Sequence, residues 1–121
     1  MARILLLSTA TGFGATGPYA ERPGYDTIGQ AMGGMLSVLT DLDAPKPMGI
    51  SLSDHLAGIM AAHGILAALV ARERTGRGQR VETSLLEATV SYVAENATRY
   101  FDDGKVPNRA TRTHIAQAYA F

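Results

Sequence analysis

Cysteine and tryptophan are both absent from the 121 residues. Without cysteine there is no disulfide framework, no thiolate nucleophile and no sulfur-held metal, and a reducing cytoplasm is the compartment we expect. Charge of either sign is not in excess. Eleven basic residues offset eleven acidic ones, and no run of five basic residues occurs, so nothing suggests nucleic acid as a partner. Met1-Ala2-Arg3 leads into only four strongly apolar residues, Ile4 to Leu7, and no secretory leader is expected. The longest nearly uncharged run, Leu56 to Ala71, is interrupted by Gly58, His63 and Gly64. It is shorter than the ~20 residues a membrane span requires, so we expect a buried helix of a soluble protein and no membrane.

What is present is a chain that is 46% hydrophobic and 18% charged, with thirteen glycines. That composition fits one small globular domain or a piece of a larger one. "RILLLSTA" (3–10) is continuous rather than alternating in its apolar residues and predicts a buried parallel strand near 4–9. "TGFGATGPYAERPG" (11–24) reads as a loop. "YDTIGQAMGGMLSVLT" places apolar residues at 28, 32, 35, 36 and 39, a helical spacing over 25–39 that Gly29, Gly33 and Gly34 weaken. After a turn at 41–47, "MGISL" (48–52) suggests a second strand. A long helix is expected over 53–74, capped by Ser51 or Ser53 and ended by Gly76, with Arg72 and Arg74 complementing its dipole. "GQRVETSL" predicts a third strand near 79–83. Ser84 with Glu87 three residues on is a capping-box pattern opening a last helix over 85–101. Strands separated by helices argue for an α/β class with a parallel sheet. The tail from 103 onward is polar and aperiodic but closes on an apolar phrase, which reads as a chain cut within a domain.

Few residues suggest chemistry. Asp54 sits at the mouth of the apolar helix, with no further acid until Glu73. By position alone its expected role is electrostatic capping. The sharper reading is a carboxylate held at the carboxyl end of a strand, able to attack an activated carbonyl. Tyr25-Asp26 reads first as a helix start with Asp26 as its cap. "TGFGATGP" matches neither a dinucleotide-binding nor a P-loop pattern, and His55 and His63 lack zinc-site spacing. His63 reads as a core or interface histidine, and no metal site is expected.

Taken in order, "GFGATGPYAERPGYDTIGQAMGGMLS" and "SDHLAGIMAAHGILAALVARERTGRGQRVETSLLEA" resemble the family III CoA-transferases, which include formyl-CoA transferase, the carnitine CoA-transferase and the bile-acid-inducible proteins. The resemblance implies that 1–102 is the central part of a Rossmann-like, partial parallel-sheet large domain, truncated at both ends. It makes 103–121 a linker toward a small domain that is not in this sequence. It also implies CoA transfer from an acyl-CoA thioester to a free carboxylic acid, with coenzyme A thioester as substrate and no permanently bound cofactor.

On that resemblance Asp54 is the nucleophile, forming an aspartyl mixed anhydride and releasing CoA thiolate, and Tyr25 and Asp26 help position the substrate. A glycine loop assisting the step falls beyond the C-terminal end of this sequence. An interlocked homodimer is implied as well. Racemases of the same superfamily carry histidine where Tyr25 stands, and tyrosine, with a reference pKa near ~10, is a poor base, so transferase is favoured over racemase or isomerase. A basic CoA-phosphate contact of some members falls on Pro23 and is therefore missing. A catalytically inactive fragment or interaction module stays open as a third reading.

Overall fold

Two short parallel strands hold the described part of the chain, residues 7–109 of a computed structural model. Strand β1 (Leu7–Thr11) pairs with β2 (Arg80–Ser84), Leu7 opposite Arg80 and Thr11 opposite Ser84. A Leu86 N–H to Gly12 carbonyl bond of 3.1 Å extends the pairing beyond the strand ends. Between them come α1 (Asp26–Met32), α2 (Met35–Leu39) and the long α3 (Leu52–Thr75), and after them α4 (Leu85–Tyr92) and α5 (Ala94–Asp103). Parallel strands joined by a helical crossover are what continuous apolar strand sequences favour. The α/β class and the strand at 80–84 agree with expectation. Residues 4–6 of the first predicted strand, and 110–121 of the predicted linker, lie outside the described residues.

Helix α3 is the axis, packed against α4, β2, α1 and β1. The core is small: Met35, Leu56, Ala57, Leu85, Ala88 and Val93, with Val38 and Leu52 against it. Glycines let the elements approach. A Cβ on Gly64 would lie 2.7 Å from Val81 Cγ1, so α3 lies directly on β2. A Cβ on Gly29 would lie 2.9 Å from Ser53 Oγ, and one on Gly33 2.5 Å from Thr89 Cγ2. Two of the glycines that weaken the helical pattern of 25–39, Gly29 and Gly33, are therefore what let the α1 segment close onto α3 and α4.

Several expectations are corrected. The helix over 25–39 is two helices, because Gly34 takes a left-handed φ of +80° that ends one helix and starts the next. The helix over 85–101 is also two, parted at Val93, where no glycine or proline marks the break. Residues 48–51 form no strand. The Ile50 carbonyl accepts from the Leu52 N–H and from the Gln30 side chain, so turn and side chain replace a ladder. β1 is not buried either, since Ser8, Ala10 and Thr11 are exposed.

Helix α3 itself is longer and less covered than expected. At 24 residues it is long and apolar enough by length and composition to cross a membrane. In the fold it lies on the sheet along one side, burying Ser53, Leu56, Ala57 and Ala68. Ile59, Leu66 and Val70 are exposed, and so is His63, which is not a core histidine among the described residues. No described element covers that second side.

Candidate active site

The carboxyl ends of both strands open into one cleft of about 350 Å³. It is lined by Ala10, Thr11, Gly12, Gly24, Asp54, Ala57, Gly58 and Leu85. Outside the carboxyl ends of parallel strands is where open α/β sheets place ligands. A larger open groove, about 540 Å³, lies between Thr40–Asp43 and Asn108–Arg109. There Asp41 already accepts the Asp43 N–H in a local turn, so the strand-end cleft is the better candidate.

One wall of the cleft is set by backbone. A Cβ on Gly12 would sit 2.5 Å from Gly24 Cα, and one on Gly24 would sit 2.4 Å from Gly12 Cα. Neither position has room for any side chain, so the loop between them is pinched shut at its base. The loop packs on itself, with Phe13 and Tyr19 rings 5.4 Å apart and the Arg22 guanidinium 4.5 Å from the Tyr19 ring centre. The Gly12–Gly24 contact is not legible as a motif, although both glycines lie in the loop that the sequence marks.

Another part of the lining is the first turn of α3, whose end is closed from a distance. Ser51 is the N-cap but makes no side-chain cap bond. The Asp26 carboxylate takes that role from α1: Oδ1 accepts the Ser53 N–H at 2.7 Å and the Asp54 N–H at 3.2 Å. Its Oδ2 accepts from Gln30 Nε2 at 2.5 Å, and the same amide nitrogen donates to the Ile50 carbonyl at 3.2 Å. Gln30 is fully buried, and its Oε1 has no partner among the described residues. Residues 26 and 30 are four apart and share a face of α1. Together they hold the N–H groups of α3 and the carbonyl that precedes it. The Ser53 hydroxyl, buried, lies 3.0 Å from the Thr89 hydroxyl on α4.

This changes the reading of both acids. Asp26 does not cap its own helix, whose N-cap Tyr25 makes no side-chain cap bond. Asp54 does not cap α3: among the described residues its carboxylate accepts no hydrogen bond, and it is exposed at the cleft. The Leu52 and His55 N–H groups donate to Ile50 and Ser51 carbonyls. With Ser53 and Asp54 given to Asp26, the four N–H groups of Leu52 to His55 are all committed within the protein. The mouth of α3 therefore leaves a carboxylate free and offers no vacant oxyanion hole. His55 lies beside it, exposed, its Nδ1 2.6 Å from the Ser51 carbonyl. A carbonyl oxygen only accepts, so Nδ1 carries the proton and Nε2 is the outward nitrogen.

Of the three residues singled out in the sequence, the structure brings Asp26 onto the Asp54 backbone and Asp54 into the cleft. Tyr25 follows the cleft-lining Gly24, but its side chain is 71% exposed and does not line the cleft. Sequence reasoning missed Gln30, for which the spacing from Asp26 is the available signal. No group of three or more metal-ligating acids, histidines or cysteines occurs among the described residues.

Comparison with known proteins gives the chain its relatives. The family model described as CoA-transferase family III matches residues 3–121. The acetyl-CoA:oxalate CoA-transferase of Acetobacter aceti is 38% identical over 91% of this chain and 29% of its own length. The succinate–glutarate CoA-transferase of Agrobacterium fabrum is 36% identical over 91% of this chain and 28% of its own. Among solved structures, a CAIB/BAIF family protein from Brucella suis superposes with a TM-score of 0.82 at 38% identity, covering 91% of this chain and 29% of that one. The chain thus spans under a third of the length of these relatives.

Proposed function

Because the chain belongs to CoA-transferase family III, we propose that it is the part of a CoA-transferase that carries the nucleophile, Asp54, and that this group works by covalent exchange. The observation that carries this reading is the free carboxylate of Asp54 at the strand-end cleft, beside a helix mouth that Asp26 already caps. An acid that only capped the helix would be bonded to it.

The steps balance without an added oxidant, reductant or metal. An Asp54 oxygen attacks the thioester carbonyl carbon of an acyl-CoA, the C–S bond breaks, and CoA leaves as thiolate from an aspartyl mixed anhydride. The incoming carboxylate attacks the Asp54 carbonyl, releases the donor acid and forms a second anhydride. The thiolate attacks the acceptor's acyl carbon, giving the new thioester and returning Asp54 as carboxylate. Negative charge develops on carbonyl oxygens in each step. The committed amides of α3 leave that charge to donors outside this helix end, in keeping with the glycine loop the resemblance implies.

Asp26 acts here by holding α3, not by touching substrate, while Tyr25 steadies the substrate from beside Gly24. The exposed Ile59, Leu66 and Val70 face belongs under the remainder of the protein or a second subunit, in line with an interlocked homodimer. Acyl-CoA and a free acid are the substrates, and the cytoplasm is the compartment.

The test uses the whole protein that contains this segment. Incubation with acyl-CoA and hydroxylamine should convert residue 54 to a hydroxamate, read by mass spectrometry on the peptide covering 49–60. Asp54→Asn should abolish both the mark and transfer while shifting stability by less than about 0.5 kcal/mol, as for a surface change that removes no bond. Wild-type turnover in Asp54→Asn would remove Asp54 from the chemistry.

A further inference from the structure

Glycine inside a helix is disfavoured relative to alanine unless something needs the space. For Gly29 and Gly64 the need is visible, because a Cβ at each would meet Ser53 at 2.9 Å or Val81 at 2.7 Å. Gly58 is different. A Cβ there would meet nothing within 4 Å, so no described neighbour requires its absence. Gly58 is four residues after Asp54, one turn further along the same face of α3. Both residues line the strand-end cleft. The space that Gly58 leaves therefore belongs to the cleft.

We propose that Gly58 is a specificity-determining position of the Asp54 cleft, and that its missing side chain admits substituents on the first carbons of the acyl group. The inference rests on the assignment of Asp54 as nucleophile. An attacking oxygen and the carbonyl carbon must come within about 3–3.5 Å. The carbons next to that carbonyl then lie within the following few ångströms, and one helical turn is about 5.4 Å. The same cleft is lined by Ala10, Ala57 and Leu85, and Asp54 is the only ionisable side chain among its described lining residues. The Thr11 hydroxyl already accepts the Gly14 N–H at 2.9 Å. The surface suits an uncharged, branched or substituted hydrocarbon portion next to the thioester, with any second carboxylate carried further away.

The experiment compares Gly58→Ala and Gly58→Leu with the wild type in the whole protein. The readout is the rate of hydroxylamine-trapped adduct at residue 54 for acetyl-CoA and for 2-methylpropanoyl-CoA, alongside thermal melting. Gly58→Ala should melt at or above the wild-type temperature, since alanine is the better helix former. Its adduct rate should fall less than about threefold for the acetyl group and roughly tenfold or more for the branched one, the scale of a misplaced methyl in an apolar pocket. Gly58→Leu should lose both. Unchanged discrimination between the two acyl groups in Gly58→Ala and Gly58→Leu would overturn the proposal. A lowered melting temperature with equal loss for both acyl groups would also overturn it, by showing that Gly58 serves packing. Asp54→Asn run in parallel separates the two ideas. If it is silent while the Gly58 variants match wild type, only the role of Gly58 falls. If it still forms product, the nucleophile assignment falls and this inference with it.

Discussion

The two ends of α3 are closed by opposite means. At the C-terminus everything is local: Gly76 takes φ +68° and returns its N–H to the Arg72 carbonyl at 2.8 Å. The Thr75 hydroxyl donates to the Ala71 carbonyl one turn back, and Arg72 and Arg74 sit in the last turn. At the N-terminus the cap comes from Asp26, 27 and 28 residues away in sequence, itself steadied by Gln30. Satisfying a helix end locally uses up the local side chains. Satisfying it from another helix leaves the local acid, Asp54, without a carboxylate hydrogen bond among the described residues and open to a ligand. The end that needs tertiary structure is the one that holds the candidate chemistry.

The largest effect on this contrast is expected from Asp26→Ala. It removes two cap bonds and leaves the buried Gln30 amide short of a partner, costing about 2–3 kcal/mol. Adduct formation at Asp54 should fall by roughly a hundredfold, as expected when a reacting group loses its alignment. Asp26→Asn keeps an oxygen for the Ser53 and Asp54 N–H groups and should recover most of the stability, because asparagine caps about as well as aspartate. Chemical denaturation and the trapped-adduct rate measure the two effects. A raised KM with unchanged stability in Asp26→Ala would instead make Asp26 a substrate contact, as the family resemblance implies.

Legibility followed the same divide. Gly76, the two arginines and the Ser84–Glu87 cap could be read because each lies within a few residues of what it satisfies, and Ser84 Oγ does accept the Glu87 N–H at 3.1 Å. The strand expected at 48–52 could not be refuted from its own residues, since a strand exists only through its neighbour. The Asp26 cap and the Gly12–Gly24 contact are likewise facts of assembly. The family was legible because several short phrases occur together in order. The candidate site was legible only in part: Asp54 was marked by its isolation and Gln30 only by its spacing from Asp26, whereas Gly58 becomes notable only when its surroundings are known.

A second test pushes on the N-terminal end from behind. In Gly33→Ala the new methyl would meet Thr89 Cγ2 at 2.5 Å and Thr89 Cβ at 2.7 Å. Overpacking of this kind costs about 1–3 kcal/mol. The Thr89 hydroxyl touches Ser53, the residue before Asp54, so a displaced Thr89 should also slow adduct formation by about threefold to tenfold. Loss of stability with a wild-type adduct rate would show that the α1–α4 contact and the mouth of α3 are mechanically separate.

The smallest effect is expected at the other end. Gly76→Ala forces a side chain into a left-handed backbone, costing about 1 kcal/mol. The cost should appear wholly as a lower melting temperature. Gly76 has open space around it, so the new methyl meets no neighbour and strain stays within the last turn. The adduct rate at Asp54, more than five helical turns away, should match wild type at any temperature where the protein is folded. If Gly76→Ala slowed the chemistry as much as Gly33→Ala does, α3 would be transmitting strain along its length. The distinction between a locally closed end and a remotely closed one would then describe hydrogen bonds alone, without the mechanical independence that lets Asp54 be set from α1.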